Sequence, residues 1–138
     1  MKRVYNMAYA QWISITIEPK NYDVTIKNIH SDWGKFYQGS KDNEISPEDI
    51  DGRVVKAGEK FTISSCGRSD ASSGTEGSFD IYRDDTHVGN YYWDCPWGSK
   101  TNTSTWTNDN SNFITQVTGG NLDSGAIGNV SIVSVYIG

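Results

Sequence analysis

A chain of 138 residues with a formal net charge of −5 and a pI near 4.8 fits one domain, large enough to bury a core without disulfide or metal staples. Its acidic field repels nucleic-acid phosphates, which excludes nucleic acid as a partner, and it leaves membranes only through local recognition by aromatic anchors and a few placed charges. Fourteen glycines, five tryptophans and eight tyrosines suit short strands and turns better than long helices, so an all-β domain is expected.

After Lys2 and Arg3, Asn6 and Gln11 interrupt the apolar residues of VYNMAYAQW, so this start lacks the apolar stretch of a signal peptide. No segment approaches the roughly 18 consecutive apolar residues of a spanning helix. The expectation is a soluble protein, cytoplasmic or non-classically secreted, with residues 1–6 a short extension and residues 7–138 the folded domain. Ile13, Ile15 and Ile17 alternate with Trp12, Ser14 and Thr16, a half-buried strand from Gln11 to Glu18. A turn at Pro19 to Asn21 precedes Tyr22, Val24 and Ile26, which alternate with Asp23, Thr25 and Lys27; the pattern predicts a second strand, antiparallel to the first in a hairpin. A third short strand or bend is expected around Ser31 to Tyr37. The acidic stretch from Lys41 to Gly52, with Pro47, reads as a solvated loop or a single helical turn. Further strands are expected over Arg53 to Lys56, Lys60 to Ser65, Gly77 to Arg83, Val88 to Trp93, Asn112 to Thr118 and Asn129 to Tyr136. Thr101 to Asn112, rich in Thr, Asn, Ser and Asp, reads as an exposed loop, and Asn121 to Gly125 as a compact corner. Eight or nine short strands make a single β-sandwich.

Little in the chain points to catalysis. Cys66 and Cys95 belong to no CxxC pair and read as free thiols. Asp84, Asp85 and His87 form a D-D-x-H cluster that a polar turn between strands explains better than a metal site, and His30 has no histidine near it. Without a third spaced ligand or a GxSxG setting, no cofactor, metal or enzymatic activity is expected.

The most unusual stretch is YYWDCPWGSKTNT at residues 91–103. Tyr91 to Trp93 alternate as a strand, but Trp97 sits between Pro96 and Gly98, where burial is less expected, and beside Lys100. An exposed tryptophan next to a lysine suggests an interfacial site. Together with MAYAQW at 7–12, Trp33-Gly34-Lys35, GRSDA at 67–71 and NLDSGA at 121–126, this stretch resembles the aegerolysin family, in the family's order and over nearly the whole chain.

The resemblance implies an actinoporin-like β-sandwich of two packed, mostly antiparallel sheets that binds sphingolipid head groups, either ceramide phosphoethanolamine or sphingomyelin with cholesterol. It also implies a role as the receptor-binding half of a two-component pore former, recruiting a larger partner with a membrane-attack-complex/perforin (MACPF) domain. Carried over by position, Trp33 and Trp97 match lipid-facing tryptophans and Lys100 a lysine placed to meet the lipid phosphate. Tyr91 or Tyr92, by strand alternation, is expected to add an aromatic hydroxyl. Ser73 stands where similar fungal members carry a glutamate, so their sterol preference is not carried over. The competing reading is a carbohydrate-binding, lectin-like sandwich, in which exposed tryptophans stack on sugar rings.

Overall fold

Alternation separates two faces on nearly every strand of the computed structural model, which describes residues 8–69 and 71–138. The expected extension at residues 1–6 lies outside the described residues, as does Asp70. On β1 (Trp12–Pro19), Ile13, Ile15 and Ile17 are fully buried while Trp12, Ser14 and Thr16 are half-buried on the other face. The other strands are β2 (Val24–Trp33), β3 (Lys35–Gln38), β4 (Ser40–Ile45), β5 (Val54–Val55), β6 (Phe61–Cys66), β7 (Thr75–Arg83), β8 (Thr86–Cys95), β9 (Thr103–Asn108), β10 (Phe113–Gly119) and β11 (Gly128–Tyr136). They form a six-stranded sheet ordered β10-β11-β1-β6-β3-β4 and a five-stranded sheet ordered β5-β2-β7-β8-β9. Among the described residues every strand pairing is antiparallel except β1 with β11, so the all-β sandwich with mostly antiparallel sheets is the observed fold. Ile13, Ile15, Ile63 and Ile132 from one sheet meet Ile26, Phe79, Ile81 and Trp93 from the other in one core. Each such side chain contributes about 1.5–3 kcal/mol on burial.

Three expectations are corrected. β1 and β2 do not form a hairpin; they lie in different sheets, and β1 takes β6 and β11 as neighbours. Both strands bury their apolar row, a condition met equally by pairing edge to edge and by facing across the core. Thr101 to Asn112 is not simply a loop, because β9 pairs along β8 from Thr103 to Asn108. As an edge strand it needs only one half-buried row, supplied by Ser104 and Trp106. Within Lys41 to Gly52, the polar residues up to Ile45 form edge strand β4, and the expected helical turn is a 3-10 turn, Pro47–Asp49. Ser46 caps that turn, and Asp49 accepts from the Ser46 N–H at 2.9 Å.

Ser31 to Tyr37 is resolved into the end of β2 and the start of β3, broken at Gly34. There φ is +87°, and a Cβ would lie 2.5 Å from the Cys66 carbonyl oxygen. Only glycine allows the chain to cross from one sheet to the other at this point. Among the described residues, no helix is long and apolar enough to cross a membrane.

Candidate functional site

At the Gly34 end of the sandwich, the register of the five-stranded sheet aligns Trp33 with Glu76 and Glu76 with Asp94. Residues paired across antiparallel strands share a face, so these three side chains form one row. Gly77 and Trp93 beside them are buried, which puts the row on the outer face. The 72–74 segment and Pro96-Trp97 stand up around it, enclosing a cleft of about 330 Å3. Trp33 is 60% exposed and Trp97 half-buried, and both line the cleft together with Ser73 and the carboxylates of Glu76 and Asp94.

The backbone beneath is held by close approaches and a buried polar relay. A Cβ on Gly74 would fall 1.8 Å from the Cys95 carbonyl oxygen, so the loop carrying Ser73 lies against the end of β8 because residue 74 has no side chain. The Ser65 hydroxyl donates to the Lys35 carbonyl at 2.9 Å. Its one proton being committed, Thr75 donates to Ser65 across 2.5 Å and accepts from the Trp93 indole N–H at 3.0 Å. The relay ties the two sheets together under the cleft. On the other side, Asn102 donates to the carbonyls of Asn121 and Gly125 at 2.9 Å, and Cys95 donates to Gly125 at 3.3 Å. Thus NLDSGA is fastened to the segment that follows β8. Cys66 and Cys95 are both buried free thiols.

Two carboxylates paired on neighbouring strands repel each other in the cleft. Burial, and after it the charge of Glu76, raise the Asp94 carboxyl above its ordinary value, while Lys100 opposes the rise. The Tyr92 hydroxyl donates to the Glu76 carboxylate in a short contact. Burial and that carboxylate push the Tyr92 phenol well above its usual range, so it remains a donor. A cation placed against Glu76 and Asp94 relieves their repulsion, and indole faces on either side favour an ammonium group or an apolar surface.

Of the residues singled out in the sequence, Trp33, Ser73 and Trp97 come together as cleft lining. Lys100 is exposed in the following loop and does not line the cleft, although its charge reaches Asp94. Tyr92 sits on the outer face beside Glu76. Tyr91 is a correction: it is fully buried, its hydroxyl 2.7 Å from that of Ser104, and burial pushes its phenol up to about 12. Alternation on β8 assigns one tyrosine to each face, and the inward one is spent on the core. Glu76 and Asp94 were not singled out as ligand-facing; the outward parity of Thr75-Glu76 and Trp93-Asp94 is the signal that finds them. In the Asp84-Asp85-His87 cluster, His87 bonds Asp109 at 2.7 Å and Asp80 at 3.1 Å instead of facing its neighbours. Among the described residues, no group of three or more His, Cys, Asp and Glu side chains is arranged to hold a metal.

Fold and cleft define a class, a two-sheet β-sandwich that presents a cleft lined by aromatic and carboxylate side chains at one end. The aegerolysin family model matches residues 10–135. The chain is 47% identical to Ostreolysin A6 of Pleurotus ostreatus, over 91% of this chain and 95% of that protein. It is 42% identical to Asp-hemolysin of Aspergillus fumigatus, over 91% of this chain and 92% of that protein. The crystal structure of IP-1A from Alcaligenes faecalis superposes with a TM-score of 0.92 at 44% identity, covering 99% of this chain and 98% of that one. The chain belongs to the aegerolysin family.

Proposed function

We propose that the cleft between Trp33 and Trp97 binds the head group of a membrane sphingolipid, ceramide phosphoethanolamine or sphingomyelin with cholesterol. Family membership supports membrane-lipid binding, and one relative is named a hemolysin. The observation that carries the reading is the pairing of an exposed indole at the cleft lip with two carboxylates behind it. A zwitterionic head group has matching parts: its ammonium meets Glu76 and Asp94, and its phosphate meets Lys100 and the Ser73 hydroxyl. Trp33 and Trp97 enter the interface, where an indole keeps its ring in apolar surroundings and its N–H wet. A protein of net charge −5 gains nothing from anionic lipids, so recognition rests on these local contacts.

In this reading the protein binds without chemical turnover, acts at the surface of target-cell membranes, and serves as the receptor-binding component that recruits a MACPF-domain pore former. Two indoles beside two carboxylates also suit a pyranose, so free sugars are the competing ligand to exclude. Co-sedimentation with liposomes containing ceramide phosphoethanolamine, sphingomyelin plus cholesterol, or phosphatidylcholine alone tests the assignment. Binding to at least one sphingolipid mixture, unaffected by mono- and oligosaccharides and without release of head group or ceramide, is expected. Equal absence of binding to all three refutes it.

A further inference from the structure

A second concavity lies at the other end of β6. β6 pairs with β1 over its whole length, Phe61 to Cys66, but with β3 only at Ser64, Ser65 and Cys66. β3 ends at Gln38, and Gly39, at φ +75°, turns the chain back into β4. Among the described residues, the β3-side edge of Phe61, Thr62 and Ile63 is therefore left without a strand partner, and a cavity of about 370 Å3 opens beside it. Ile45 and Ile50 line its other sides. An uncovered strand edge presents backbone donors and acceptors that are otherwise paired in a sheet. The volume lies within the range of sites for small molecules.

The charges at this cavity are arranged differently from those nearby. Lys20 pairs with Glu18 at 3.0 Å and Lys56 with Asp23 at 3.2 Å, which accounts for two cations at this end. Arg53 and Lys60 line the cavity, and among the described residues neither stands within salt-bridge distance of a carboxylate. The field of Lys60 reaches Glu18, whose carboxylate is bonded to Lys20. The Arg53 guanidinium carbon lies 4.3 Å from the centre of the Phe61 ring, a cation–π contact that holds the charge at the cavity without using its N–H donors. Asp49 is the one carboxylate in the lining, and it caps its own turn through the Ser46 N–H. On a chain of net charge −5, this cavity carries two cations against one carboxylate.

We propose that this cavity is a second binding site, for a small amphipathic anion. Its carboxylate or phosphate sits between Arg53 and Lys60 and its apolar body rests on Ile45, Ile50 and Phe61. The site is distinct from the head-group cleft: the two share no lining residue, and the cleft lies by the Cys66 end of β6. A ligand held here leaves the cleft free.

The test is a backbone amide NMR titration of the full chain with phenyl phosphate and phenylacetate, beside benzyl alcohol and inorganic phosphate. Both aromatic anions are expected to bind saturably, with shifts centred on Ile45, Arg53 and Phe61 to Ser64. The neutral alcohol and inorganic phosphate are each expected to bind at least about tenfold more weakly. Arg53→Gln and Lys60→Gln should each weaken binding about fivefold or more, while Lys56→Gln leaves it unchanged. The exposed Lys60 guards against a folding defect in the Arg53 variant. Absence of saturable binding up to about 10 mM, equal binding of the alcohol or of inorganic phosphate, or indifference to both substitutions overturns the proposal.

Discussion

The two faces of β8 divide the work of the molecule between odd and even residues. Inward, Tyr91, Trp93 and Cys95 are fully buried, and Trp93 is ringed by Phe36, Phe79 and Tyr91 at centroid distances of 6.1, 6.4 and 6.3 Å. Outward, Tyr92 and Asp94 stand in a partly wet row where two carboxylates repel each other. The inner face gains free energy from packing, whereas the outer face holds a like-charge pair that packing alone does not explain. An arrangement that costs stability at a cleft is what a ligand cation is suited to offset.

The largest break expected between the faces is Trp93→Ala, which should cost about 3–5 kcal/mol in denaturant unfolding by emptying the centre of the core and removing the indole N–H that Thr75 accepts in the relay. A loss under about 1 kcal/mol would mean that the inner face is not what holds the sandwich. Next, Trp97→Ala, only four residues away, should weaken vesicle binding at least about tenfold while shifting the unfolding midpoint by no more than a degree or two. If it unfolds the domain instead, Trp97 is core and the division fails.

Asp94→Asn sharpens the comparison further, because it should move stability and binding in opposite directions. With its carboxyl raised by burial and by Glu76, the folded chain holds this proton to higher pH than the unfolded chain does. The ionised site is therefore destabilising at neutral pH, and the penalty fades as pH falls through the raised pKa. Removing the charge should add up to about 1 kcal/mol at neutral pH and weaken binding of ammonium-bearing lipid. A variant both less stable and fully competent in binding would assign Asp94 a structural role.

The smallest effect belongs to His87, at the start of the same strand. Burial lowers its pKa, but the hydrogen bonds to Asp109 and Asp80 outweigh burial and raise it. Its stabilising contribution is therefore complete below the unfolded value of about 6.5 and is lost as pH rises through the folded value. The stability difference between wild type and His87→Gln should shrink over that window. A difference that grows with pH would mean the imidazole is held neutral.

The inner face was the more legible of the two. The Ile13-Ile15-Ile17 alternation marks β1, and the aromatics of Tyr91 to Trp93 mark β8, because burial writes a period of two into the sequence. That period does not say which sheet receives a strand, which is why β1 and β2 read as a hairpin. β9 escaped because an edge strand built from Thr103, Ser104, Thr105, Trp106 and Thr107 has the composition of a loop. At the cleft, the Pro96-Trp97-Gly98 setting beside Lys100 marks Trp97 on its own, whereas Trp33 and Ser73 come through the family resemblance. Glu76 and Asp94 look like ordinary solvated positions until the β2-β7-β8 register sets them side by side. Tyr91 and Tyr92 differ only in parity, and parity is fixed by the fold rather than by residue type.

The most direct test of the cleft is a tryptophan-fluorescence titration with ceramide phosphoethanolamine or sphingomyelin–cholesterol vesicles containing a shallow brominated lipid, run on wild type and on a Trp33→Phe/Trp97→Phe double variant. A lipid-facing cleft predicts bromine quenching in the wild type with at least one lipid mixture, and its loss in the double variant while Trp93 remains unquenched in the core. Quenching that survives in the double variant would place the membrane contact elsewhere and contradict the assignment.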